Sequence, residues 1–249
     1  MPLKEEFRTQ GDFLFKHRSY LPVLIILTGM AVYVFNQTEN PTIDLNNNYD
    51  KICVLVGLLG LVIRSIAVGY SADHTSGRNT SVGQVAEHIN TTGFYSICRH
   101  PLYLGNYFMW LGVAMLTADV WFLVAFTGLY WIYYERIMYA EEAFLTDKYG
   151  QRYINWAKNV PAFIPAFTKW KKPEFKFSWP KIIRQERTGI LNLFLLIFIF
   201  KSIGAYISKG QAFDPNSWWF WGIAGAIVWY LITKIIQKTT NYLNVDRPE

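Results

Sequence analysis

The sequence predicts an all-α integral membrane protein with about six transmembrane helices and a short helical hairpin. Hydrophobic residues make up 52% of the 249 positions. They fall in continuous blocks rather than at the alternating or 3.6-residue spacing of a half-buried strand or helix. A bilayer core requires about 20 mostly apolar residues per helix. The blocks therefore predict helices at roughly 20–36, 52–70, 103–117, 119–134, 190–207 and 218–236.

The third and fourth blocks are short and are joined almost directly through Ala118. This arrangement predicts a tight hairpin. Most Lys and Arg residues lie in the N-terminal tail, the second loop, the 135–189 segment and the C-terminal end. Because loops rich in Lys and Arg stay in the cytoplasm, both termini and the second and fourth loops are expected to be cytoplasmic. The same placement of charge argues against a nucleic-acid partner, despite a net charge of +6.

Three regions follow from this reading. Residues 1–70 form an N-terminal tail and two transmembrane helices, 71–170 form a core that contains the hairpin, and 171–249 form a basic segment and two further transmembrane helices. The basic segment, 168–189, is expected to lie along anionic lipid headgroups, with direct substrate binding as the less favoured alternative. Two cysteines, Cys53 and Cys98, suggest neither a disulfide nor a metal cluster. No metal is expected.

Two charged segments flank the hairpin. Arg99, His100 and Pro101 precede its first helix, and Pro101 suits a first helical turn. Glu141 and Glu142 lie about two turns beyond the second apolar block. Each pass covers about 15 residues, or roughly 22 Å, so the two segments should meet at the same membrane surface. The meeting could be an ordinary salt bridge between Arg99 and a glutamate, or an anion site at the helix N-terminus.

The segment TTGFYSICRHPLYLGNY, the glutamate pair and the later KYGQRYINWAKNVPAFIP resemble the isoprenylcysteine carboxyl methyltransferase family. That family belongs to a superfamily that includes phospholipid methyltransferases. The resemblance covers about residues 72–167 and implies S-adenosylmethionine as cofactor. It implies that Arg99 and Glu141 are catalytic and face the reacting end of the substrate. It also implies a set of cofactor-binding residues: Thr92, Gly93, Tyr95, His100, Tyr103, Leu104 and Glu142.

The polar loop before the hairpin could hold the substrate. Arg64 lies near the inner end of the second helix, and His74, Arg78 and Asn79 follow it. Arginine matches phosphate or carboxylate oxygens with paired hydrogen bonds, although Arg64 could instead extend toward the lipid phosphates. A phosphomonoester is largely ionised at neutral pH, so its methylation needs positioning rather than a general base.

The stretches TSGRNT, NTTG and RHPLYLGN, together with two extra spans, look like bacterial enzymes that methylate the 1-phosphate of lipid A. This resemblance implies O-methylation of a lipid phosphate at the bacterial inner membrane. Carboxyl methylation of isoprenylcysteine or another small acid is the alternative. A second alternative is an NADPH-dependent enzyme resembling sterol reductases, which share the Arg-His-Pro segment. A third is a membrane scaffold without activity. The sequence does not indicate the oligomeric state.

Overall fold

The structure is a computed structural model that describes residues 2–17, 20–39, 48–72, 75 and 87–244. Within these ranges the regular structure is helical, apart from one antiparallel bridge between Gly93 and Lys171. The all-α prediction is therefore confirmed. The helices of the described part are α1 (Leu3–Lys16), α2 (Tyr20–Glu39), α3 (Asn48–Tyr70), α4 (Pro101–Met115), α5 (Val120–Tyr149), α6 (Gln151–Ala157), α7 (Trp179–Lys209) and α8 (Trp218–Thr239).

Three helices of the described part, α3, α7 and α8, are long and apolar enough to cross a membrane. The chain is therefore an integral membrane protein. Helix α4 has 15 residues, about 22 Å, which is short for a bilayer core of about 30 Å. Helix α5 carries Glu135 and Arg136 halfway along its length. Three of the six predicted passes are supported, and the other three stay predictions.

Small residues let α3 and α4 pack closely. A side chain at Gly112 would meet the backbone of Cys53 at 2.5 Å and of Gly57 at 2.6 Å. Close approach through small residues is typical of helix pairs in membranes, where no hydrophobic force drives the helices together. The same contact brings Gly105 of α4 beside Arg64 of α3. The arginine is thereby fixed next to the start of the hairpin.

The predicted hairpin is confirmed. Pro101 occupies the first turn of α4, and the short connection after α4 contains Ala118 with a φ of 53°. The Asp119 side chain accepts a hydrogen bond of 2.7 Å from the Phe122 amide and so caps α5. Helix α5 continues to Tyr149 and ends at Gly150, whose φ of 55° favours glycine. It carries Glu141 and Glu142 back to the level of Arg99.

The C-terminal region differs from its prediction. Helix α7 begins at Trp179, well before the predicted residue 190, with Ser178 as its N-cap. Lys181 is fully buried and donates to the carbonyls of Ser71 and Ala72 at 2.9 and 2.8 Å. The expectation that all of 168–189 lies along headgroups is therefore wrong for its second half, which packs against the end of α3. The lysines of the first half are exposed.

Candidate active site

Arg99, His100 and the two glutamates form one connected network. Glu142 Oε1 accepts hydrogen bonds from Arg99 Nε and from His100 Nε2, both at 2.8 Å. The other ring nitrogen, His100 Nδ1, lies 3.4 Å from Glu141 Oε2. The predicted meeting of the two segments is confirmed. The prediction assigned His100 and Glu142 to the cofactor, and Arg99 and Glu141 to the substrate. In the structure the four residues form a single network, because Glu142 binds both Arg99 and His100.

The turn after α6 holds Arg99 in place. Its Nη1 donates to the carbonyls of Ala157 and Val160 at 2.7 and 2.9 Å. Its backbone amide and that of His100 donate to the carbonyls of Pro161 and Ala162. The guanidinium is therefore fixed between α5 and the end of α6, and it presents one edge to Glu142.

Burial and charge act in opposite directions on this network. Burial by itself lowers the pKa of His100, but the hydrogen bonds and charges of Glu141 and Glu142 outweigh it and raise the pKa above 6.5. Burial by itself raises the pKa of Glu142, but His100 and Arg99 outweigh it and lower the pKa below 4.5. An ionised Glu142 facing a protonated His100 is thus the favoured state at mildly acidic pH.

A cavity of about 540 Å³ opens beside the network, a size typical of small-molecule sites. Aromatic rings form much of its wall, and His100 stacks on Tyr103 with ring centroids 5.7 Å apart. Helices from three regions of the chain contribute, including Phe15 of α1 and Thr188 of α7. Its other principal lining residues are Arg64, Tyr95, Arg99, His100, Tyr103, Asn106, Tyr134, Glu141, Tyr153, Trp156, Arg184 and Gln185.

The predicted cofactor residues divide into two groups. Tyr95, His100 and Tyr103 line the cavity, and Glu142 lies behind His100. Leu104 is buried in the first turn of α4, where its amide donates to the His100 carbonyl.

Thr92 and Gly93 face the segment before α7. The Gly93 amide donates to the Lys171 carbonyl at 3.0 Å, and Thr92 Oγ1 accepts from the Glu174 amide at 3.1 Å. Their contacts therefore position the loop before the hairpin, and a role in cofactor binding stays a prediction.

Among the predicted substrate residues, Arg64 lines the cavity. It forms a two-pronged ion pair with Glu186, with both N–O distances at 2.8 Å, and its Nη1 donates to Asn106 Oδ1 at 2.7 Å. This pairing explains how a charged residue is tolerated in a membrane-spanning helix. His74, Arg78 and Asn79 lie outside the described residues.

Sequence analysis gave substrate binding by the 168–189 segment only as the less favoured alternative, and it did not predict that the start of α7 lines the cavity. Arg184, Gln185 and Thr188 line it, and the buried Glu186 holds Arg64. One signal was present: Glu186 is an acidic residue among basic ones just before an apolar block. Phe15, which α1 delivers to the cavity, carried no comparable signal.

Comparison with known proteins agrees with the resemblance drawn from the motifs. Residues 52–152 match the family described as phospholipid methyltransferase. A protein-S-isoprenylcysteine O-methyltransferase of Saccharomyces cerevisiae is 29% identical over 46% of this chain and 50% of that protein. One of Schizosaccharomyces pombe is 32% identical over 43% of this chain and 45% of that protein. The cobalt-zinc-cadmium resistance protein CzcN of Cupriavidus metallidurans is 23% identical over 66% and 71%.

No solved structure matches the chain. The chain spans about half the length of most of the curated relatives that it matches. The family match and the similar isoprenylcysteine methyltransferases confirm the resemblance for the central segment, which contains most of α3, all of α4 and α5, and the network. Methyltransferases of this superfamily use S-adenosylmethionine as methyl donor.

The lining of the cavity fits this cofactor. Glu141, His100 and Arg99 line the cavity; the carboxylate would suit the ammonium group of the cofactor, and the two basic groups would suit its carboxylate. The faces of Tyr95, Tyr103 and neighbouring rings suit a sulfonium by cation–π attraction. When bound, the cofactor supplies an activated methyl group.

Proposed function

We propose that the chain is an S-adenosylmethionine-dependent methyltransferase that acts on an acidic oxygen of a membrane lipid. The observation that carries the proposal is the network of Arg99, His100 and Glu142 at the wall of a cavity. The network belongs to the segment that matches the phospholipid methyltransferase family.

The residues of the network would position the reactants. His100, held by Glu142, would bind the carboxylate end of the cofactor, and Glu141 would neutralise its ammonium. Arg99 is locked by two backbone carbonyls and a carboxylate, so it would orient a neighbouring anion with little loss of side-chain entropy. Much of the rate of a methyl transfer comes from alignment of the oxygen with the sulfur–methyl bond.

The proposed substrate is a lipid phosphate such as the 1-phosphate of lipid A. Three arginines, Arg64, Arg99 and Arg184, line the described part of the cavity with a single carboxylate, Glu141. Glu186 and Glu142, which pair with Arg64 and Arg99, do not line the cavity, so guanidinium donors outnumber carboxylates at its wall and favour an anionic headgroup. An ionised phosphate or carboxylate carries its own nucleophilic lone pair, so no general base is required.

Carboxyl methylation of an isoprenylcysteine is the second candidate. It is favoured by the relatives from yeasts, insect, frog and plant, which are named isoprenylcysteine O-methyltransferases. The same arginine-lined cavity would accept a carboxylate. The two candidates therefore differ in the lipid that is recognised, while the cofactor and the network keep the same roles.

The cavity is proposed to open toward the cytoplasm, at the bacterial inner membrane. Exposed Lys169, Lys171 and Lys172 lie in the segment that pairs with Gly93, just before the hairpin. The site and a basic surface thus share one side of the protein. Because basic segments stay in the cytoplasm, a soluble cofactor would reach the cavity directly.

The test is methyl transfer by purified protein in detergent, with labelled S-adenosylmethionine. Three acceptors are compared: lipid A with its 1-phosphate, the dephosphorylated lipid, and a farnesylated cysteine. Label in the first acceptor alone supports the lipid phosphate. Label in the farnesylated cysteine alone transfers the proposal to the carboxylate. Label in none of them, with tight binding of NADPH, would show a reductase instead.

Glu142→Gln tests the role of the network. We expect the transfer rate to fall about 100-fold, which is about 2.7 kcal/mol in the activation barrier, because a neutral amide removes the negative charge that balances Arg99 and His100. Glu135→Gln is the matched control, since Glu135 lies on the same helix, pairs with its neighbour Arg136 and does not line the cavity. Equal rates in the two variants, with unchanged melting temperatures, would remove the network from the mechanism.

A further inference from the structure

Helix α6 presents two buried polar groups that lack hydrogen-bond partners within the described part of the chain. They are the hydroxyl of Tyr153 and the indole Nε1 of Trp156. Both side chains line the cavity, and their ring centroids lie 5.5 Å apart. The Tyr153 side chain is almost completely buried, with 2% of its surface exposed. Buried polar groups are nearly always hydrogen-bonded, so two orphans on one cavity wall need an explanation.

The two groups lie close to the charged network. Helix α6 ends at the carbonyl that holds Arg99 Nη1. Burial raises the pKa of the Tyr153 hydroxyl, the charges of Glu142 and Glu141 raise it further, and Arg99 lowers it. The net effect is an increase, so the hydroxyl keeps its proton at neutral pH. Tyr153 therefore provides an O–H donor close enough to the network to feel the charges of Glu142, Glu141 and Arg99.

Donor chemistry identifies the class of ligand. An indole N–H can only donate a hydrogen bond, and a protonated tyrosine donates well. Two donors on one wall match an acceptor that carries several lone pairs, such as a carboxylate or a phosphate group. Hydrogen bonds to ionised acceptors are shorter and about twice as strong as neutral ones. A neutral donor pair can thus bind an anion without adding a further charge to the cavity.

We propose that Tyr153 and Trp156 form a donor pair that binds an anionic oxygen of a ligand inside the cavity. The inference rests on the proposed function, which supplies two sources of such an oxygen. One is the carboxylate of the cofactor, and the other is the acidic headgroup of the lipid. Neither residue belongs to the Arg-His-Pro or Glu-Glu motifs, so the pair extends the site onto α6.

Tyr153→Phe removes one donor with little change of shape, and Trp156→Phe removes the other while keeping an aromatic ring of smaller size. Tyr149→Phe is the matched control, because Tyr149 lies four residues upstream of Tyr153 and does not line the cavity. Purified full-length protein in detergent is titrated by calorimetry with S-adenosylhomocysteine, which shares the carboxylate of the cofactor. It is titrated separately with lipid A that carries its 1-phosphate and with a farnesylated cysteine, and the one that binds serves as the lipid ligand. Melting temperatures are measured without ligand.

We expect Tyr153→Phe to bind one of the two ligands about tenfold more weakly and the other with unchanged affinity. The weakened ligand identifies the source of the oxygen. Without ligand, the melting temperature of Tyr153→Phe should equal or exceed that of the wild type, because no hydrogen bond is lost. Trp156→Phe should weaken the same ligand, and Tyr149→Phe should bind both ligands as the wild type does.

Two results would overturn the donor pair while leaving the proposed function intact. One is wild-type affinity of both variants for both ligands. The other is a marked fall in the ligand-free melting temperature of Tyr153→Phe, which would show that the hydroxyl has a structural partner. A wild-type protein that binds neither ligand would instead overturn the proposed function, and the donor pair with it.

Discussion

Two ionic sites on the membrane-spanning scaffold differ in what surrounds them. Lys201 of α7 pairs with Asp50 of α3 at 2.5 Å, the Asp50 side chain is fully buried, and neither residue lines the cavity. Arg99 and Glu142 pair at 2.8 Å but keep 19% and 25% of their side chains exposed. A charged residue in a membrane protein is a functional candidate by default. Here the opening onto a cavity, rather than the charge, separates the candidate site from a structural clamp.

The pair of Arg64 and Glu186 is intermediate between the two. Glu186 is 2% exposed, as in a structural clamp, whereas Arg64 is 21% exposed and lines the cavity. The pair also joins α3, which lies in the family-matched segment, to α7, which lies outside it. One end of this interaction therefore stabilises the fold, and the other end contributes to the wall of the site.

The largest expected effect is a loss of stability when the buried pair of Lys201 and Asp50 is broken. Asp50→Asn leaves Lys201 buried beside a neutral amide, and loss of one partner of a buried pair costs about 3–5 kcal/mol. We expect a large fall in the free energy of unfolding, measured by denaturation in mixed micelles. Binding of S-adenosylhomocysteine by the folded fraction should stay unchanged.

A double-mutant cycle decides whether the loss comes from the stranded lysine. The variant with both Asp50→Asn and Lys201→Met should recover much of the stability, because replacing both partners of a buried pair is often close to neutral. Additive losses in the double variant would contradict the clamp. Weaker cofactor binding by Asp50→Asn would contradict the contrast between the two sites.

A smaller loss is expected for the intermediate pair. Glu186→Gln removes the carboxylate but leaves the bond from Arg64 to Asn106, and the guanidinium can be hydrated from the cavity. We expect a loss of about 1–3 kcal/mol in stability, together with a changed KM for the lipid and an unchanged KM for the cofactor. The control is Arg187→Gln. Arg187 lies on the same helix, packs over the Tyr230 ring and does not line the cavity.

If Glu186→Gln changed the cofactor KM instead, Arg64 would belong with the cofactor residues. If it changed stability alone, the pair would be a clamp of the same kind as Lys201 and Asp50. Either result would change the assignment of the Arg64–Glu186 pair as a contributor to the lipid site.

The sequence was sufficient where a local rule applied. Pro101 at a first turn and Ala118 between two apolar blocks placed the hairpin correctly. Helical rise then predicted that the segment of Arg99 and His100 would meet the glutamate pair, without saying which glutamate binds Arg99. The sequence was insufficient where partners are far apart in the chain. Nothing local states that Glu186 meets Arg64, because 122 residues separate them.

The beginning of α7 illustrates the same limit. Hydropathy placed the start of this span at its first long apolar run, but the helix extends through Lys181 and Glu186. Those residues are buried because their charges are satisfied by the end of α3 and by Arg64. Tertiary pairing therefore decides which charged residues a membrane-protein helix can bury.

The smallest expected effect is a change of stability with pH, which comes from the network of His100 and Glu142 and not from the pair of Lys201 and Asp50. His100 has a pKa raised above 6.5 in the folded protein, so its interaction with the glutamates stabilises fully below pH 6.5. That contribution is lost as the pH rises through the folded pKa. Glu142 has a pKa lowered below 4.5, so its contribution is present above pH 4.5 and is lost as the pH falls through the folded value.

The network should thus stabilise most between about pH 4.5 and 6.5 and lose part of that stabilisation at higher pH. The measurement is the melting temperature of the wild type and of His100→Asn from pH 5 to 9. The difference between them should shrink as the pH rises above 6.5.

Asp50→Asn, in which the network is intact, is the control. Its melting temperature should be lower than that of the wild type but should decline with pH in the same way. A constant difference between the wild type and His100→Asn across the range would show that the pKa of His100 is the same in the folded and unfolded states, which would contradict the charged interaction with the glutamates.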